Sequence, residues 1–151
     1  MIYQNDKMLY YNVFSKRCIT SFDKIQVKMK EFFVELKTSD IVPVGECFYC
    51  FKKIGSIDEI EFEVFQPVKE YKKLNDDEII FRTYFYQDNM ISTIVLDDFQ
   101  NIEWNYAELM LWMEEKKEIA LSNIYNEIHK HQDGRYIIVK VATAKIKESI
   151  Q

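Results

Sequence analysis

"SNIYNEIHKHQDGRYIIVKVA", residues Ser122 to Ala142, is the stretch on which the reading of this chain turns. Residues alternate in polarity on either side of Asp133-Gly134, the pattern of a β-hairpin whose turn uses a dipeptide tolerant of positive φ. Alternation puts Tyr125, Glu127 and His129 on one face of the first strand. Glu127 then has two readings. It is a surface carboxylate paired with Lys130, Arg135 or Lys140 across the hairpin, or it anchors a binding pocket. Periodicity shows a face without showing its burial.

Immediately before the hairpin, Tyr106, Leu109, Met110, Trp112 and Met113 recur at helical spacing. This predicts a helix over Tyr106–Glu118, opened by a capping box of Asn105 and Glu108 and closed by a solvated "EEKKE" turn. Further back, "IIFRTYFY" and "MISTIVL" read as a strand pair around "QDN". The first half of the chain repeats the order. "MLYYNVFSKRCI", Met8–Ile19, reads as a strand, and Thr20 or Ser21 is placed to cap a helix over Phe22–Leu36. There Phe22, Ile25, Met29, Phe32, Phe33 and Leu36 form the apolar stripe, with Lys24, Lys28, Lys30, Glu31 and Glu35 opposite. "ECFYCFKK" and "IDEIEFEVFQP" follow as a hairpin turned at Gly55, and Asp76, Asp77 and Glu78 read as solvated loop charges. Strand–helix–strand–strand occurs twice. The expected fold is therefore a single α+β domain over residues 1–151, with two helices packed on one face of a mostly antiparallel sheet.

Composition narrows the function classes. The chain has 151 residues, 48% of them hydrophobic, with three Gly and two Pro, which suits a compact fold. Its net charge of −5 and lack of a basic stripe argue against a nucleic-acid partner. No apolar run reaches membrane-spanning length, and "MIYQNDKMLYY" has no signal-peptide pattern, so a cytoplasmic protein without a membrane partner is expected. Cys18, Cys47 and Cys50 are an odd set. Cys47 and Cys50 point to opposite strand faces, and a zinc site would have to recruit Cys18, His129 or His131. They read as buried or half-buried thiols, with no metal or other cofactor.

"MISTIVLDDF" running into "NIEWNYAELMLWMEEKK", and "YNEIHKHQDGRYIIVKVA" after it, resemble the GyrI-like small-molecule-binding domain family, which also serves as the effector-binding module of multidrug-responsive regulators. The resemblance spans nearly the whole chain and lies mostly in element order. It departs from the family at "LDDFQN", where a Gly-containing loop is usual, and at "VKVATA", where a Pro is usual. The resemblance implies a groove for lipophilic, cationic ligands with Glu127 as anchor. Tyr125 beside it, and Tyr49, Phe65, Tyr84 and Tyr86 from neighbouring strands, would supply aromatic faces. With no helix-turn-helix in front, the expectation is a stand-alone binder. Two other classes stay open. One is a protein-interaction or accessory module, secretion- or toxin-associated, that could be a homodimer. The other is a hydrolase of strained-ring toxins with Glu127 as base, although no catalytic motif of known spacing is present, and a non-enzyme is favoured.

Overall fold

The structure, a computed structural model, describes residues 1–56, 58–96, 102–132 and 134–147. In chain order the elements are β1 (Tyr3–Thr20), α1 (Ile25–Thr38), β2 (Phe48–Ser56), β3 (Glu59–Pro67), β4 (Ile79–Leu96), α2 (Ile102–Lys116), β5 (Glu118–Ala120), β6 (Tyr125–His131) and β7 (Gly134–Lys145). The ladders β1–β3, β2–β3, β4–β7, β5–β7 and β6–β7 are all antiparallel. The fold is α+β, as the alternation and helical periodicities predict. The chain forms two compact units, Leu9–Tyr86 and Met1–Met8 with Gln87–Gln151.

In the unit Leu9–Tyr86, α1 buries Ile25, Met29, Phe32 and Leu36, one face at a spacing of three and four residues. Its entry differs from the expected cap. Phe22–Lys24 form a 3₁₀ turn, and the Ser21 side chain caps no backbone N–H; its hydroxyl donates instead to the Asp23 carboxylate. Its exit is a Schellman motif. Asp40 is left-handed at φ 57°, Ile41 N donates to Leu36 O at 3.0 Å, and Asp40 N donates to Lys37 O at 3.1 Å. Gly55 is not the turn of the β2–β3 hairpin. It lies within β2 where the register shifts between Ile54 and Ser56, and the connection is residues 57–58, of which Ile57 lies outside the described residues.

Asp76 is more than a solvated loop charge. Lys16 Nζ donates to Glu35 Oε1 and to Asp76 Oδ2, each at 2.8 Å, tying β1 to α1 and to the loop before β4. The Lys16 hydrogen bond, with help from Glu35 and the Glu78 amide, holds the Asp76 carboxyl down at about 2. Burial, and then Asp76, moves the Glu35 carboxyl up. A depressed acid stabilises the fold above its ordinary value of 3.8, and that contribution disappears as pH falls through about 2. Asp76→Asn is therefore expected to be less stable than wild type at pH 5, the gap closing between pH 4 and pH 2. Urea midpoints across that range check it, and a gap constant with pH would refute it.

The segment expected as two strands around "QDN" is one continuous strand, β4. Asn89 sits in it at φ 51°, so a single left-handed residue replaces a turn, which Asn tolerates at low cost. In the unit formed by Met1–Met8 and Gln87–Gln151, Ile91 and Val95 of β4, Leu109 and Met113 of α2, and Ile137, Val139 and Val141 of β7 form the core. Helix α2 begins at Ile102, so Asn105 and Glu108 lie inside it and make no capping box. It ends at Lys116, with Lys117 left-handed at φ 57° and Glu118 opening β5. The last ladder position of the β6–β7 hairpin is His131 opposite Gly134. Asp133 lies outside the described residues, whereas Gly134 has φ 140°, a conformation for which glycine is suited.

Candidate ligand-binding site

Because Ile137, Val139 and Val141 pack with α2, alternation sends Tyr136, Ile138 and Lys140 to the opposite, helix-free face of the same unit. Register places Lys140 between Ser92 on β4 and Tyr125 on β6. Glu127, opposite Ile138, is then a diagonal neighbour of Lys140. Glu127 is 2% exposed, so it is no surface carboxylate. Its Oε1 lies 3.0 Å from Lys140 Nζ and 3.2 Å from His129 Nε2. Of the pairings weighed from sequence, the one with Lys140 forms, and it forms out of solvent.

Lys140 has further partners. Its Nζ donates to Lys7 O at 3.0 Å and lies 3.5 Å from Asp6 Oδ1. Burial pushes the Asp6 carboxyl up, but hydrogen bonds from Ser92 and the Lys7 amide, together with the Lys140 charge, hold it below the usual aspartate range. His129 stacks on Tyr136, its register partner, with centroids 4.9 Å apart and planes 11° from parallel. The face therefore carries a chain of alternating charge, Asp6–Lys140–Glu127, ending at the His129 imidazole.

The other candidates divide by unit. Tyr125 is buried two residues from Glu127 on β6. Tyr49, Phe65, Tyr84 and Tyr86 all belong to the unit Leu9–Tyr86. Tyr49 and Phe65 are buried there, Phe65 stacking on Phe48 with centroids 4.6 Å apart, whereas Tyr84 and Tyr86 are exposed. Asp6 and Ser92 did not emerge from the sequence. Asp6 follows the turn-forming Asn5 and reads as polar loop, and no local pattern ties it to a lysine 134 positions away.

Among the described residues, no group of three or more His, Cys, Asp or Glu is arranged to hold a metal. All three cysteines are free thiols, and burial pushes Cys50 up to about 11, keeping it protonated at neutral pH. No described helix is long and apolar enough to cross a membrane.

Residues 9–147 match the model of a family described as a domain of unknown function, DUF5085. The chain belongs to the DUF5085 family. No curated protein matches this DUF5085 chain in sequence. Its fold is similar to that of the EcmrR C-terminal domain, with TM-score 0.76 and 16% identity over 97% of each chain. In the cryo-electron-microscopy structure of an EcmrR–DNA complex, the DUF5085 chain spans 57% of the EcmrR chain at the same score and identity. It is also similar to an uncharacterised conserved protein from Listeria innocua, with TM-score 0.62, 8% identity and 93% of each chain covered.

Proposed function

We propose that this protein is a small-molecule-binding domain of the GyrI-like kind that takes lipophilic cations on the helix-free face around Glu127. The observation that carries this is a carboxylate withdrawn from water beside an aromatic side chain, Tyr125, with a neighbouring lysine that has a second place to go. A buried carboxylate attracts a cation far more strongly than a solvated one does. Lys140 already sits on Oε1, so an incoming cation exchanges with it, and Asp6 and Lys7 O are the groups that receive the displaced ammonium. Aromatic faces add cation–π attraction of about 1–2 kcal/mol per desolvated contact. The α+β fold, similar to that of the EcmrR C-terminal domain, is the one that the resemblance to the GyrI-like family implies. The proposal rests on Glu127 and Tyr125 alone among the six residues expected from sequence.

Calorimetric titration with tetraphenylphosphonium tests it. Glu127→Gln keeps the side-chain shape, and removing its charge is expected to weaken binding about tenfold, the worth of one charge-assisted contact. Equal affinity in the folded variant would remove Glu127 from the site. A second reading, hydrolysis, has one feature in its favour: His129 and Glu127 form an imidazole–carboxylate pair at 3.2 Å that is able to take a proton from water. The same variant separates the two, since a base role predicts lost turnover of a strained-ring substrate with binding retained. The net charge of −5 is no argument against membership of a DNA-bound assembly, because charge bears on direct phosphate contact only.

A further inference from the structure

In the unit Leu9–Tyr86, Lys16 reaches Glu35 of α1, so Ser15 and Arg17 on either side of it point to the face away from that helix. On that face lies a second buried carboxylate, Glu63 of β3, 0% exposed. Three cations converge on it. Lys52 Nζ is 3.1 Å and Arg17 Nε 3.6 Å from Oε1, and Arg82 Nη2 is 3.3 Å from Oε2. Ser15 Oγ donates to Oε2 at 2.8 Å and itself accepts from Arg82 Nη1. Arg82 also lies over the Phe65 ring, 5.3 Å from its centroid.

One carboxylate is neutralised by one cation, and here there are three. Among the described residues none of the three ion-pairs with a second carboxylate. The cluster therefore carries a surplus of two positive charges, and its cations face outward, with side chains 56% (Arg17), 22% (Lys52) and 32% (Arg82) exposed. Like charges held this close repel, and an arrangement that gathers them needs an anion to complete it. Arg82 is pinned by Ser15, Glu63 and Phe65 while three of its five N–H groups stay available, which lowers the entropy cost of binding. Burial pushes the Glu63 carboxyl up, but Ser15, Lys52 and Arg82 hold it below the usual glutamate range, so it stays ionised and keeps the cations together when no ligand is present.

We propose that Arg17, Lys52 and Arg82 form a phosphate-binding site on this unit, independent of the cation site around Glu127. A phosphate group carries a charge of about −1.5 to −2 at neutral pH, which offsets most of the surplus, and its oxygens suit the guanidinium fork. The test is a titration of the full chain with inorganic phosphate at constant ionic strength, followed by amide chemical shifts. Saturable one-to-one binding is expected, with the largest shifts at these three residues. Arg17→Gln, at a mostly exposed position where folding is preserved, is expected to weaken it about tenfold, as is Lys52→Gln. Absence of saturation at constant ionic strength, or affinity unchanged in both variants, would overturn the site.

Discussion

Lys140→Met is expected to lower the free energy of unfolding by about 3–5 kcal/mol, the range found when one partner of a buried ion pair is removed. The pair qualifies as buried on both sides: the Lys140 side chain is 9% exposed and that of Glu127 is 3%. Met keeps the unbranched stem and most of the volume, so the packing loss is small and the loss of charge dominates. Without the ammonium, the Glu127 carboxylate stays buried but loses the lysine counter-charge at 3.0 Å. Urea unfolding of the variant and wild type at neutral pH measures the loss. The variant should also bind tetraphenylphosphonium more tightly, about tenfold, because the internal competitor for Oε1 is gone. A large stability loss with cation affinity unchanged would mean that Lys140 and the ligand do not compete for Glu127, and the exchange mechanism would fall.

Local periodicity carried the parts of this fold that are local. Ile25, Met29, Phe32 and Leu36 form a helical stripe because a solvent-facing helix can bury only one side, and the structure buries all four. The doubled strand–helix–strand–strand order was legible for the same reason. Breaks were harder to read. Asn5, Asn12 and Asn89 each adopt positive φ inside long strands, and a single left-handed residue looks in sequence like the start of a turn. The Asn105/Glu108 spacing is that of a capping box, yet it falls in a helix that starts three residues earlier, since the motif constrains two side chains and not the chain before them. Burial was the least legible property. Glu63 alternates with Phe62 and Val64 and so reads as the wet side of a strand, but β3 lies between β1 and β2 and is covered on both faces. Glu127 hides its surroundings for a related reason: its partner's partner, Asp6, comes from the other end of the chain. Register between distant strands determines both environments, and composition within a strand does not encode it.

Glu63→Gln tests whether that second carboxylate is what holds β1, β2, β3 and β4 residues together. The amide retains the shape and can still accept from Ser15, so hydrogen bonding and packing change little. Charge changes completely, from three cations around one anion to three cations around none. The expected loss is about 3 kcal/mol, the lower end for an ion left without its buried counter-charge, because Arg17, Lys52 and Arg82 each keep a side in water. Repulsion among partly exposed cations is screened at a Debye length of about 3 Å in 1 M salt, against roughly 10 Å in 0.1 M. Raising sodium chloride from 0.1 to 1 M should therefore recover part of the loss in Glu63→Gln beyond its effect on wild type. Phosphate should recover more than chloride at equal ionic strength if it binds the cluster, by mass action on the folded state. Thermal and urea unfolding of both proteins in matched salts gives the comparison. A Glu63→Gln protein as stable as wild type in 0.1 M salt would show that the three cations need no anion at their centre.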